Sequence, residues 1–129
     1  MQCKIIIKTV GEGWQDELKC NAEFLTVNGA RQILYKIQND DSVLLIEEDK
    51  VVQKRRGEVN VDLLFIEGKT TPCKIITQGL NGGYNVFTES VEKTPLKNGY
   101  KLQLNYVNDY SNEKIKLTLF AIFNTQEKL

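Results

Sequence analysis

From Gln2 to Phe123 the chain changes polarity at nearly every second residue, in short runs cut by dipeptides rich in Gly, Asn and Asp. Side chains on a strand change face at each residue, so such a period commits a chain to β-structure with one buried face. The clearest run is Glu58 to Ile66. Val59, Val61, Leu63 and Phe65 fall on one side of it, while Glu58, Asn60 and Asp62 fall on the other. Lys114 to Phe123 repeats the pattern with Ile115, Leu117, Leu119, Ala121 and Phe123. Further strand segments run from Gln2 to Val10, Asp16 to Val27, Arg31 to Ile37, Pro72 to Gln78, Tyr84 to Lys93 and Tyr100 to Tyr106.

Asn28-Gly29 and Asn98-Gly99 accept the positive φ angles that two-residue hairpins require. Asn39 to Ser42, Glu67 to Lys69, Gly79 to Gly83 and Asn108 to Asn112 are read as further turns. After Phe24 the apolar phase slips to Leu25 and Val27, which predicts a bulge there. Val43 to Arg56 admits two readings. Asp41 or Ser42 could cap a helix that Gly57 ends, or two strands could flank a turn at Glu48-Asp49-Lys50. Clustered β-branched residues and the absence of a helical stripe favour the hairpin. About ten short strands in hairpin succession predict a single all-β domain over residues 1–129, an antiparallel up-and-down barrel whose closure removes exposed edges. The polar tail, Asn124 to Leu129, is expected to fray.

Composition narrows the chemistry. With 129 residues, 41% of them apolar, the chain can bury one core without staples. Seventeen basic and seventeen acidic residues cancel, so binding to nucleic acid or an anionic membrane needs a local patch. No stretch reaches the length of a membrane-spanning helix, and the N-terminus lacks a signal-peptide pattern. Cys3, Cys20 and Cys73 are odd in number and form no CxxC, which points to reduced, buried thiols and a cytoplasmic location. Cys73, beside Lys74, is the best candidate for an activated thiol. The chain contains no histidine. That excludes Ser-His-Asp and Cys-His nucleophilic sites and every imidazole-bound metal. Asp40-Asp41 and Glu47-Glu48-Asp49 lack the spacing of a Ca²⁺ loop and read as solvated turns, so no metal or cofactor is expected. Gly79 to Gly83 lacks the ending of a phosphate-binding loop.

Two groups of residues remain as functional candidates. Lys54, Arg55 and Arg56 are the densest positive charge and could contact phosphates or carboxylates of RNA or an acidic protein partner. Against this, Arg55 could bridge a nearby carboxylate or the carbonyls around Gly57. Tyr35, Phe65, Tyr100 and Tyr106 (with Tyr84) fall at inward positions. A barrel that holds a small apolar ligand needs such rings with a few hydroxyls, although each ring can equally fill the core.

Arg55-x-Gly57, then Phe65 and Gly68, resembles the central motif of the YwiB-like family of small bacterial proteins. The order of elements, ending in a Gly-led strand from Gly99 to Tyr106, is similar over nearly the whole chain. Where that family usually carries an aromatic residue and a Pro-Phe-Gly turn, this chain has Thr77 to Gly83. The resemblance implies a calycin (lipocalin-like) barrel and, since the family's function is unassigned, no activity. The expectation is a non-catalytic cytoplasmic barrel taking a small apolar ligand inside, or alternatively an interaction module using Lys54 to Arg56. An enzyme ranks third and would have to work through carboxylates, tyrosine or a thiol.

Overall fold

Alternation alone is enough to wind the chain into strands that meet their sequence neighbours. The computed structural model describes residues 1–124. It contains β1 (Gln2–Gly11), β2 (Trp14–Val27), β3 (Ala30–Ile37), β4 (Asp40–Ile46), β5 (Val51–Arg56), β6 (Val59–Phe65), β7 (Thr70–Thr77), β8 (Leu80–Leu96), β9 (Gly99–Asn108) and β10 (Glu113–Phe123). Each strand pairs antiparallel with the next, and β10 returns to pair with β1, Cys3 opposite Phe123 and Val10 opposite Lys116. The sheet is a closed barrel, with no helix among the described residues.

The inward residues form one core that includes Ile5, Ile33, Leu44, Val51, Phe65, Val86, Leu102, Leu104 and Leu119. The two ends differ. One end is plugged by rings: Phe24 lies 5.9 Å from Tyr100 and 5.0 Å from Phe123 between centroids, and Arg31 lies 4.9 Å over the Tyr100 ring. There Lys93 Nζ donates to the carbonyls of Glu47 and Glu48, each at 2.8 Å, and ties down the β4–β5 hairpin. At the opposite end, where β1–β2, β3–β4, β5–β6, β7–β8 and β9–β10 turn, the inward apolar residues are only half-buried. Ile7, Leu18, Ile37, Tyr84, Tyr106 and Leu117 line this mouth.

Val43 to Arg56 is a hairpin, closed by Glu47 N–H donating to the Lys50 carbonyl at 2.9 Å. Four expectations need correction. Asn98-Gly99 is not the β8–β9 turn: the two-residue loop is Lys97-Asn98, Gly99 pairs with Leu96, and neither Asn98 nor Gly99 has a positive φ. β2 continues through Phe24 without a bulge; Leu25 is an outward, half-buried residue, and apolar side chains on an outer face are ordinary. The register shift lies in β8 instead, between Thr88 and Ser90, where the longest strand bends. The turn placed at Asn39 to Ser42 is made by Gln38-Asn39, Gln38 having φ +57°, so Asp40 and Ser42 belong to β4 and are buried. The turn placed at Gly79 to Gly83 is tight, at Gln78-Gly79, and Gly82 and Gly83 lie within β8. Gly83 serves close approach: a Cβ there would stand 2.7 Å from the Cys73 carbonyl oxygen.

Candidate functional site

The β2–β3 ladder stops partway. β2 pairs with β3 only from Glu23 to Val27, whereas its first half, from Trp14, is bonded to β1 alone. β3 beyond Leu34 is bonded only to β4. The wall therefore splits toward the mouth, leaving a cleft of about 560 Å³. Cys20, Ala22, Tyr35 and Ser42 form its inner side; Asn21, Glu23, Leu34, Lys36 and Asp41 form its outer lips. That volume lies within the usual range for small-molecule sites.

Cross-strand neighbours share a face, so Tyr35, Ser42, Arg55, Val61 and Ile75, which follow one another across β3 to β7, all point inward. Tyr35 is buried, and its hydroxyl accepts from Gln53 Nε2 at 3.0 Å. Burial pushes its phenol above its ordinary value, and a phenol is protonated at neutral pH even without that shift. Ser42 Oγ donates to the Lys54 carbonyl at 3.3 Å.

Arg55 lies just inside the mouth. Its Nε donates to Asp40 Oδ2 at 2.8 Å. The Asp40 carboxylate also accepts from the N–H groups of Glu58 at 2.9 Å and Val59 at 3.2 Å. The Glu58 N–H foremost, then Val59 and Arg55, hold this carboxyl below its ordinary value against the opposing effect of desolvation. Gly57 makes the arrangement possible. Its φ is +155°, and a Cβ at that place would stand 2.0 Å from Asp40 Oδ1. The Arg55-x-Gly57 spacing thus encodes an arginine and the bare backbone that lets its carboxylate in.

Strand alternation separates the basic triplet. Lys54 and Arg56 point outward while Arg55 points inward. Arg56 is engaged locally, with Nη2 to Asp62 Oδ1 at 2.7 Å and Nη1 to the carbonyls of Val61 and Arg55. Lys54 stands across from Asp62 on a separate outer cleft that also involves Lys50, Val52, Leu64, Pro72 and Lys74.

The four rings expected around one cavity do not converge. Tyr35 opens on the β2–β3 cleft, while Tyr100 borders a different cleft at the plugged end. Phe65 is fully buried, 5.0 Å from Tyr106, and Tyr106 alone of that pair reaches the mouth. Burial, with the nearby Cys73 and Glu113, pushes the Tyr106 phenol up to about 12, and Tyr84 is raised mainly by burial. Gly68 has φ +77° in the β6–β7 turn. Cys73 is not an activated thiol: burial raises it, and Lys74 projects from the opposite face. Cys20, half-buried, is the thiol that borders the cleft. Among the described residues no group of acidic, cysteine or histidine side chains could hold a metal ion.

Sequence reasoning misses Gln53 and places Asp40 in a solvated turn, Ser42 in a turn or helix cap and Cys20 among buried thiols, none of them at a site. Asp40 resembles a turn residue by type, and only the β4–β5 register turns it inward beside Arg55. A carboxylate two residues after a positive-φ position and opposite an Arg-x-Gly turn is the signal that could have found it.

A family model described as "Domain of unknown function (DUF1934)" matches residues 2–119. No curated protein matches the chain. Among solved structures, the chain is similar to the crystal structure of the ywiB protein from Bacillus subtilis, with a TM-score of 0.87. The two are 14% identical, and the match covers 96% of this chain and 92% of that one, which establishes the shared barrel fold. No described helix is long and apolar enough to cross a membrane.

Proposed function

The chain belongs to the DUF1934 family, whose description assigns no activity, and we propose from its own geometry that it is a non-catalytic binding protein of the cytoplasm. It takes one small, mostly apolar molecule through the mouth of the barrel and the adjoining β2–β3 cleft. The observation that carries this reading is the asymmetry of the core. A barrel built only to be filled would bury both ends, yet six inward apolar side chains at one end stay half-buried beside an opening in the wall, against Phe123 at the other. Leaving such lining wet forgoes about 25 cal/mol per Å² of apolar surface, which a ligand's apolar body can recover. The chain has no histidine, and burial raises the Cys20 thiol at the edge of the cleft, which favours a binding role for the polar groups there.

The test is titration with N-phenyl-1-naphthylamine, a neutral dye that brightens in apolar surroundings. Saturable one-to-one binding to the wild type, weakened at least tenfold by Ile37→Lys with the fold intact by circular dichroism, is the expected result. A dye signal that never saturates, or one indifferent to Ile37→Lys, contradicts the reading.

A further inference from the structure

One side chain interrupts the apolar mouth, and its hydrogen bonding is half complete. Arg55 faces inward between Ser42 and Val61, with its side chain 18% exposed. Its Nε is committed to Asp40. Nη1 and Nη2 take no partner among the described residues, yet neither is sealed from solvent, since the buried unpartnered atoms are Thr88 Oγ1 and Tyr100 Oη. A guanidinium carries five donors in one plane and no acceptor. Asp40 covers one edge of that plane and is itself occupied by the Glu58 and Val59 N–H groups. The other edge is a fork of donors with no partner among the described residues, on a side chain flanked by Ser42 and Val61.

That fork discriminates between ligands. A neutral apolar molecule entering the mouth would strip water from Nη1 and Nη2 and give nothing back, which leaves a charged donor group unpaired. A planar carboxylate returns two parallel charge-assisted bonds. Tyr35, whose hydroxyl accepts from Gln53 and lies beside Ser42, borders the cleft on the same inward row as Arg55. Asp40 already balances the guanidinium, so a ligand's charge meets no surplus cation inside the wall. One negative charge near a solvent-reached mouth is tolerable; two cost more. A cationic head group meets only donors.

We infer that the site selects apolar molecules ending in a single carboxylate, with Nη1 and Nη2 of Arg55 as the head-group contact and the half-buried mouth residues around the tail. This rests on the proposed function above and adds the chemical class of the ligand.

The experiment displaces N-phenyl-1-naphthylamine from the wild-type protein with decanoate, decanol, decylamine and decyl phosphate at pH 7.5. Decanoate is expected to bind roughly ten- to a hundredfold tighter than decanol, the range for one charged hydrogen-bonding contact, with decylamine weakest and decyl phosphate no tighter than decanoate. Arg55→Gln should bring decanoate down to the level of decanol. Where that variant unfolds, Asp40→Asn/Arg55→Gln replaces the ion pair with an amide pair and should give the same levelling. Decanol equal to decanoate in the wild type, or a decanoate preference that survives loss of Arg55, overturns the carboxylate inference and leaves the apolar site standing. Decyl phosphate tighter than decanoate overturns the single-charge assignment. Failure of every decyl compound to displace the dye removes the binding site itself and this inference with it.

Discussion

Replacing Gly57 with alanine tests whether the Arg-x-Gly spacing exists to admit Asp40. The new Cβ would stand 2.0 Å from Asp40 Oδ1, 2.5 Å from Cγ and 3.0 Å from Cβ, at φ +155°. Backbone strain at such an angle costs about 1–3 kcal/mol. The carboxylate must also move, which strands the Glu58 N–H that it accepts from at 2.9 Å, and a donor left without its partner costs about 1–3 kcal/mol more. The two effects sum to about 2–6 kcal/mol, a large part of the stability of a domain this size. The control is Gly13→Ala, at φ +86° with no atom within 4 Å of the added Cβ. It carries the conformational penalty alone, about 1–2 kcal/mol. Urea titrations followed by circular dichroism should show Gly57→Ala with the lower midpoint of the two and unchanged slopes. If Gly57→Ala is no costlier than Gly13→Ala, the glycine is not there to admit the carboxylate.

Other outcomes follow from the same geometry. Phe65→Ala should lose about 3–5 kcal/mol in the same urea assay, because the ring is fully buried against Tyr106; a loss under 1 kcal/mol would mean the barrel centre is not packed. Thiol labelling under native conditions should modify Cys20 first, with Cys3 and Cys73 protected until unfolding, and mass spectrometry of the peptides reads the order. Since Asp40 has a lowered folded-state pKa, the stability it contributes is complete above its unfolded value near 4 and is lost as pH falls through the folded one. The stability gap between wild type and Asp40→Asn should therefore shrink as the pH falls below about 5, and a gap that stays constant down to acid unfolding would show that the charge of Asp40 is idle.

The barrel was legible because nearly every strand carries the two-residue period. Glu58 to Ile66 and Lys114 to Phe123 state their inward faces outright, and Asn28-Gly29 is the β2–β3 turn with both residues at positive φ, whereas the β8–β9 hairpin turns one residue before Asn98-Gly99, at Lys97-Asn98. Local pattern could not give the site, because its parts come from different hairpins. Lys54, Arg55 and Arg56 read as one basic patch in sequence, yet adjacent strand residues face opposite ways, so one belongs to the mouth and two to the outer surface. Asp40 was hidden because aspartate is common in turns, and whether it ends a turn or begins a strand depends on Gln38 taking a positive φ. The β2–β3 split was invisible for a further reason: both strands alternate normally through it, and only their pairing stops.

The most direct test of the account is a methyl-labelled NMR titration of the protein with decanoate. Shifts should concentrate at the mouth, on Ile7, Leu18, Ile37 and Leu117, with slow or intermediate exchange and saturation at one equivalent, while Leu102 and Ile46 near the plugged end stay unmoved. Shifts spread over the outer surface around Val52 and Leu64, or none up to millimolar decanoate, would contradict the claim that the open end of this barrel is where it meets its ligand.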